Sequence, residues 1–190
     1  MQPHIAERSI AESIAPEKDV DGFHPVNAGK LLLGVEEGFI PCTPLGIHTL
    51  LLKNSIPIEG RHVVIVGRSN LVGKPLGALL VQRKSGCNAT VTIAHSHTKH
   101  LAELTRQADI LVAAIGRPHF IKKEMVRPDA VVIDVGINRL PDHTIAGDVD
   151  FEAVSKIASH ITPVPGGIGP MTIAMLLQNT LQSFEQRGIC

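Results

Sequence analysis

Residues 63–77 read Val63-Val64-Ile65-Val66-Gly67-Arg68-Ser69-Asn70-Leu71-Val72-Gly73-Lys74-Pro75-Leu76-Gly77, and this stretch decides the fold. Its first four residues are apolar and β-branched, which is typical of a short strand buried on both faces of a parallel sheet. Gly67 allows the chain to turn tightly, and Pro75 suits the first turn of a helix, where an N–H is not needed. A strand, a glycine turn and a helix N-terminus together often form a phosphate-binding site.

The spacing of the glycines departs from the usual dinucleotide motif. Gly67, Gly73 and Gly77 do not follow the pattern G-x-G-x-x-G, and Ser69 stands where the second glycine would lie. Two interpretations therefore remain open, namely a phosphate-binding corner and a plain strand-to-helix corner without a ligand.

The composition of the chain narrows the class of protein. Of its 190 residues 44% are hydrophobic and 3% aromatic, with 18 basic residues, 18 acidic residues and no Trp or Tyr. The balanced charge and the scarcity of aromatic residues argue against nucleic acid and acidic membrane surfaces as partners. The apolar runs are too short to cross a membrane, and three widely spaced cysteines favour a reducing compartment. We therefore predict a soluble cytoplasmic protein.

The rest of the sequence alternates strands with helices. Further strands are predicted at 89–94, 109–115, 130–135 and 161–162, and helices at 5–14, 43–54, 99–107, 150–159 and 170–184. This alternation is typical of an α/β fold with a doubly wound, Rossmann-like parallel sheet. Ligands of such sheets collect at the carboxyl ends of the strands.

The second strand ends in His95-Ser96-His97-Thr98-Lys99. NAD-binding sheets carry an acidic residue about 20 residues past the first glycine, which binds the ribose 2′-hydroxyl, and this segment has none. Hydroxyls, imidazoles and a lysine, with Arg68 in the neighbouring loop, suit a 2′-phosphate instead, which favours NADP over NAD. For the histidines at 95, 97 and 100, a metal site and a solvated turn are the alternatives.

Two further segments could bind a flat heterocycle. Asp19 and Asp21 are two residues apart, so in an extended segment they would point the same way, and a carboxylate can accept paired N–H bonds from a pterin. A turn at Asp21 and Gly22 is the alternative. The loop 163–172 holds three prolines and three glycines and leads into a helix N-terminus, where a ligand can approach the backbone. A plain capping loop is the alternative here.

Taken together, these segments closely resemble the methylenetetrahydrofolate dehydrogenase/cyclohydrolase family. The resemblance is carried by Pro16-Glu17-Lys18-Asp19-Val20-Asp21-Gly22, by Pro41-Cys42-Thr43-Pro44, by Gly67-Arg68-Ser69 with Val72-Gly73 and Pro75, and by the loop 163–172. It implies two α/β domains around a cleft, a homodimer, and NADP as the cofactor. It also implies oxidation of 5,10-methylenetetrahydrofolate to the methenyl compound and hydrolysis of that compound to 10-formyltetrahydrofolate, reactions of one-carbon metabolism.

The resemblance assigns roles to individual residues and assigns no metal ligand. The folate substrate would be bound by Asp21, Gly166, Gly167 and Thr172. The cofactor would be bound by Thr43, Gly67, Arg68, Ser69, Ser96, His97 and Ile137. His97 replaces the basic residue that is common at this position in the family.

The family's first domain begins well upstream of the segment matched by residues 3–5, and it carries a catalytic lysine and a tyrosine. This sequence contains no Tyr. We therefore expect a fragment without its catalytic residues, which binds NADP with little activity. Residues 1–54 would be a remnant of an N-terminal α/β domain, residues 55–165 the NADP-binding domain, and residues 166–190 a helix that packs back towards the N-terminal domain.

Two other classes of function remain open at this stage. A different nicotinamide-dependent dehydrogenase on a similar sheet would be expected to lack both the loop 163–172 and the Asp21 segment. A non-catalytic dinucleotide-binding module would bind the cofactor without any folate-dependent reaction.

Overall fold

A computed structural model describes residues 7–186, with side chains from residue 10 onwards. Its strands are β1 (His62–Val66), β2 (Thr90–Ala94), β3 (Ile110–Ala113), β4 (Val131–Asp134), β5 (Asn138–Arg139), β6 (Ile145–Ala146) and β7 (His160–Ile161). β5 and β6 pair as an antiparallel hairpin, and the other five form one parallel sheet in the order β2-β1-β3-β4-β7. This sheet confirms the predicted doubly wound α/β fold.

Seven α-helices are described around the sheet between residues 7 and 186. They are α1 (Glu7–Ser13), α2 (Pro25–Leu33), α3 (Cys42–Lys53), α4 (Gly73–Leu80), α5 (Leu101–Thr105), α6 (Phe151–Val154) and α7 (Ile168–Glu185). Short 3-10 turns lie at Pro16–Lys18 and Lys123–Met125. α3 packs along α7, and α4 packs on β1 and β2. None of the described helices is long and apolar enough to span a bilayer.

β1 is buried on both faces, as its sequence predicts. On one face Val63 and Ile65 pack in a cluster with Leu76 and Leu80 of α4 and with residues of α3. On the other face Val64 and Val66 belong to a second cluster that includes residues of β3, β4 and α6. The sheet therefore separates two apolar layers, and polar groups gather only at its edges.

Several predicted helices differ from the observed ones. The helix predicted at 99–107 is shorter, because His100 adopts a left-handed conformation (φ 52°) that a continuous helix does not allow. The helix predicted at 150–159 ends at Val154, and its N-cap Asp150 pairs with Lys122 Nζ at 3.2 Å instead of capping the helix. Helix α3 starts at Cys42, not at Thr43. Residues 5 and 6 of the first predicted helix lie outside the described residues.

Helix α2 and the β5–β6 hairpin were not predicted. α2 has a weak apolar pattern, because Leu31 is buried whereas Leu32 and Leu33 are exposed. In the helix predicted at 43–54, the apolar spacing places Leu45, Ile47, Leu51 and Leu52 on the inward face. Ile47 and Leu51 are fully buried, but Leu52 is 45% exposed, so its predicted position is wrong.

The ion pair at the amino edge of the sheet yields a stability prediction. The Asp109 carboxylate accepts hydrogen bonds from the His62 N–H (2.9 Å) and from Arg127 Nη1 (2.8 Å), and these bonds lower the pKa of Asp109. A lowered pKa stabilises the fold only while the carboxyl is ionised. The substitution Asp109→Asn should therefore cost about 1 kcal/mol at pH 7, and the cost should disappear as the pH falls through the pKa of folded Asp109.

Urea unfolding curves recorded at pH 7 and at successively lower pH measure this difference. Asp129→Asn is the matched control, because Asp129 is exposed two residues after Arg127. Its effect should stay within about 0.5 kcal/mol at every pH. A cost of Asp109→Asn that persisted in acid would contradict the assignment.

Candidate functional site

The loops that follow β1, β2, β3 and β4 adjoin at the carboxyl edge of the sheet. The Gly67 N–H donates to the Ala94 carbonyl (2.9 Å), the Ala114 N–H to the Val66 carbonyl (2.9 Å), and the Val135 N–H to the Ala113 carbonyl (2.8 Å). The predicted cofactor residues on these loops therefore lie along one edge. They are Gly67, Arg68 and Ser69 after β1, Ser96 and His97 after β2, and Ile137 after β4.

The corner after β1 is closed by backbone contacts that only glycine permits. Gly67 has a φ of +138°, and a Cβ atom there would overlap the carbonyl oxygen of Ala114. A Cβ atom on Gly73, the first residue of α4, would overlap the carbonyl oxygen of Gly67. The Val72 N–H donates to Ser69 Oγ at 3.0 Å, which shapes the loop between the two glycines. The N-terminus of α4 is thereby held directly behind the turn, as a phosphate site requires.

The rim beside this corner is polar, basic and without acidic residues. Arg68, Ser96 and His97 are exposed, and neither the segment 67–72 nor the segment 95–99 contains Asp or Glu. The His97 N–H donates to His95 Nδ1 at 3.2 Å, so this nitrogen of His95 already has a partner. Within residues 7–186 no group of three or more His, Cys, Asp or Glu side chains is placed to hold a metal ion.

Asp19 and Asp21 play different structural roles, and the prediction that they point the same way is wrong. Asp19 is 5% exposed, and its carboxylate accepts hydrogen bonds from the Phe23 and His24 N–H groups (3.1 and 2.7 Å) and from Asn27 Nδ2 (2.8 Å). A turn at residues 19–22 replaces the extended segment that the spacing argument assumed. The Asp21 side chain is exposed, so its carboxylate is open to a ligand.

The start of α3 connects Asp21 with the first turns of α7. Cys42 Sγ lies 3.5 Å from the Val20 carbonyl oxygen and 3.9 Å from Asp21 Oδ1. Burial, together with the charge of Asp21, raises the pKa of the Cys42 thiol to about 11, so this group is a neutral donor and not a nucleophile. Thr43 Oγ1 lies 3.0 Å from Thr172 Oγ1, which itself donates to the Ile168 carbonyl. One hydrogen bond therefore joins a predicted cofactor residue to a predicted substrate residue.

Asn179 is a structural residue that the sequence interpretation missed. It is buried on α7, and its Nδ2 donates to the carbonyls of Val20 (2.8 Å) and Ile40 (3.0 Å). It thus fixes the backbone on both sides of the Asp21 segment against α7. The signal was present in the sequence, since Asn179 continues the spacing of four residues set by Met171 and Met175.

The predicted residues Gly166, Gly167 and Ile137 lie at the margins of this site. Gly166 and Gly167 immediately precede α7, and Gly167 is its N-cap. Ile137 follows Gly136 and is 68% exposed, so its side chain is accessible to a ligand.

The parallel sheet has a closed glycine corner after β1, and a basic rim without acids lies beside that corner. Together these features define a nucleotide-binding domain of the doubly wound class. A family model narrows this class. The model described as "Tetrahydrofolate dehydrogenase/cyclohydrolase, NAD(P)-binding domain" matches residues 41–188, and the chain belongs to this family.

Individual relatives agree with this assignment. The chain is 58% identical over 190 residues to the Bifunctional protein FolD of Prosthecochloris aestuarii, covering 96% of this chain and 64% of the relative. It superimposes with a TM-score of 0.93 on the crystal structure of the bifunctional FolD methylenetetrahydrofolate dehydrogenase/cyclohydrolase from Campylobacter jejuni, at 52% identity, covering 97% of this chain and 64% of that one.

The structure of the Trypanosoma brucei dehydrogenase-cyclohydrolase, which is complexed with NADP cofactor and inhibitor, gives a TM-score of 0.89 at 38% identity, covering 99% of this chain and 65% of that one. The chain therefore spans just under two thirds of the length of these relatives. The matches confirm the family resemblance and the Rossmann-like fold, and the family model identifies residues 41–188 as an NAD(P)-binding domain.

The contrast between the two aspartates is testable by stability measurements. Asp19→Asn leaves one acceptor oxygen for three N–H donors and should cost roughly 2 kcal/mol. Asp21→Asn should change the free energy of unfolding by no more than about 0.5 kcal/mol, because this side chain is exposed. Urea unfolding of both variants beside the wild type measures the two values. Equal losses would mean that Asp21 is a turn residue like Asp19.

Proposed function

We propose that this chain binds NADP and forms the cofactor side of a site that oxidises 5,10-methylenetetrahydrofolate. The observation that carries the proposal is the closed corner at Gly67 and Gly73 beside the basic, acid-free rim of Arg68, Ser96 and His97. An acid at this rim would repel a 2′-phosphate, whereas a guanidinium binds it through charge-assisted hydrogen bonds. The T. brucei relative that is complexed with NADP supports the same choice.

The residues of the chain fit a dinucleotide at each part of the edge. The glycine corner lets a pyrophosphate approach the backbone at Gly73, the first residue of α4. Ser69 lies in the loop between the two glycines, and Ile137 offers an apolar surface to the nicotinamide. When bound, the dinucleotide supplies a hydride acceptor, so the protein's task is to align two rings.

The folate would lie on the other side of the hydrogen bond between Thr43 and Thr172. Asp21 is the proposed pterin ligand, because its exposed carboxylate can accept a pair of N–H bonds while Cys42 and Asn179 hold the backbone beside it. Gly166 and Gly167 allow a flat ligand to approach the start of α7. The variant Asp21→Asn should accordingly weaken binding of 5,10-methylenetetrahydrofolate and leave NADP affinity unchanged.

We also propose the domain division set out from the sequence, with residues 1–54, 55–165 and 166–190 as its three parts. The outer face of α7 supports it, because Ile173, Leu177 and Leu181 are 59, 67 and 57% exposed on a helix whose opposite face packs on α3. The relatives are half as long again as this chain, and in them we expect further sequence to cover this face. A homodimer, as the resemblance implies, would be detected by light scattering.

Arg68 is expected to carry most of the preference for NADP over NAD. Losing a charge-assisted bond to the 2′-phosphate corresponds to roughly 1.5–3 kcal/mol, so Arg68→Ala should weaken NADP binding about ten- to hundredfold and leave NAD binding nearly unchanged. Titration calorimetry with both dinucleotides measures this. Arg83→Ala is the control for net charge, because Arg83 is exposed three residues beyond the C-terminal end of α4. Equal affinity of the wild type for NADP and NAD would sink the proposal.

The 190 residues alone should turn over slowly, since the lysine and tyrosine implied by the resemblance are not among them. A positioned acid or base typically contributes 10²–10⁴-fold, so we expect formation of methenyltetrahydrofolate far below about 1 s⁻¹ and negligible hydrolysis of it. The purified chain is assayed by absorbance with saturating NADP and 5,10-methylenetetrahydrofolate, beside the full-length P. aestuarii relative. Turnover comparable to that of the relative would contradict this expectation.

A further inference from the structure

The loop after β3 is closed around a buried carboxylate that has no part in the site described so far. Asp148 is 0% exposed. Its Oδ2 accepts hydrogen bonds from the N–H groups of Ile115 (2.6 Å) and Gly116 (2.9 Å), and its Oδ1 from the Arg117 N–H and Asn138 Nδ2, both at 2.9 Å. Three consecutive backbone donors thus converge on one internal anion. Without it, these donors would be left partnerless at the edge of the sheet.

A second buried carboxylate holds Asp148 in place. Asp134, at the end of β4, accepts hydrogen bonds from the N–H groups of Gly136 and Asp148 at Oδ1 and from the Val149 N–H at Oδ2, each at 2.9 Å. A Cβ atom on Gly147 would overlap Asp134 Oδ2, so the backbone approaches this carboxylate as closely as it can. Asp134 therefore fixes both the backbone of Asp148 and the turn that leads to Ile137.

The two carboxylates link the ends of the proposed dinucleotide site. Ala114, whose carbonyl oxygen packs against Gly67, directly precedes the residues that Asp148 binds. A continuous series of contacts then runs from the glycine corner through the loop 114–117 and Asp148 to Asp134 and Gly136. Since Asp148 is buried, it acts on a ligand only through this series.

We infer that Asp148 is a positioning residue for the dinucleotide, whose carboxylate sets the loop 115–117 and with it the separation between the Gly67 corner and the turn at Ile137. This inference rests on the proposed cofactor. The other loops at this edge are rigid. If one loop were displaced, a bound dinucleotide could not make its phosphate contacts and its nicotinamide contacts at the same time.

The test is the variant Asp148→Asn in the 190-residue chain. Asparagine has the same shape but only one acceptor oxygen, and each oxygen of Asp148 accepts two hydrogen bonds, so two of the four donors would face an NH₂ group. We expect NADP to bind about tenfold more weakly, by titration calorimetry under conditions where the unfolding curve shows the variant fully folded. Hydrogen exchange of the Ile115, Gly116 and Arg117 amides in the free protein should become faster.

A matched control separates positioning from general loss of stability. Val154→Ala truncates a fully buried side chain in the apolar layer that also contains Val149, without removing a hydrogen bond to the loop. It should lower the free energy of unfolding yet leave NADP affinity within about twofold of the wild type. If Asp148→Asn does not fold, Asp134→Asn serves instead, because the Asp134 carboxylate accepts three hydrogen bonds whereas that of Asp148 accepts four. We expect it to weaken NADP binding about threefold by displacing Asp148.

The outcomes are distinguishable. Weaker NADP binding by Asp148→Asn or Asp134→Asn, with an unaffected Val154→Ala, supports the inference. A wild-type chain that binds NADP, with carboxylate variants that bind it equally well, overturns the inference alone. A wild-type chain that does not bind NADP overturns the proposed function and this inference with it.

Discussion

The burial of β1 on both faces is the constraint on which the rest of the structure depends. Because apolar layers cover both faces of Val63–Val66, a ligand can reach this strand only beyond its ends, and Gly67 follows its carboxyl end. Gly67 there packs against Ala114 and Gly73 against Gly67, so three backbone segments meet without an intervening side chain. The loops that bear Arg68, Ser96 and Ile137 are placed relative to one another by this contact and by the register of the sheet.

Buried polar groups at this edge form hydrogen bonds with other groups of the protein, which makes the edge rigid. Asp134 and Asp148 satisfy backbone donors of the loops after β3 and β4, and Asn179 satisfies the carbonyls of Val20 and Ile40 on the opposite side. In the described part of the chain no buried side-chain nitrogen or oxygen lacks a hydrogen-bond partner. The exposed polar side chains, Asp21 and Arg68 among them, are therefore the ones left for ligands.

The sequence predicted what depends on local pattern. Three local features predicted the parallel sheet and placed the ends of its strands to within about two residues. They are the apolar run before Gly67, the alternation of strands and helices, and the family motifs. Features that depend on contacts distant in sequence were not predictable. Asp19 and Asp21 have the same local chemistry, and only the folded positions of Phe23, His24 and Asn27, which all donate to Asp19, make the first structural. Asp134 and Asp148 look like solvent-exposed acids in the sequence, because their partners are backbone N–H groups that no side-chain pattern reveals.

The Asp148 carboxylate that fills the loop after β3 has a consequence for where a ligand's phosphate groups can bind. Runs of backbone N–H groups attract anions wherever they occur. On this edge the run at Ile115–Arg117 already binds an anion of the protein's own, the Asp148 carboxylate. At the start of α4 fewer backbone donors are available, because the Val72 and Lys74 N–H groups donate to Ser69 and Pro75 has no N–H. Asp148 is therefore a built-in pseudo-phosphate, which closes the run after β3 to a ligand's phosphate and leaves the glycine corner after β1 for a pyrophosphate.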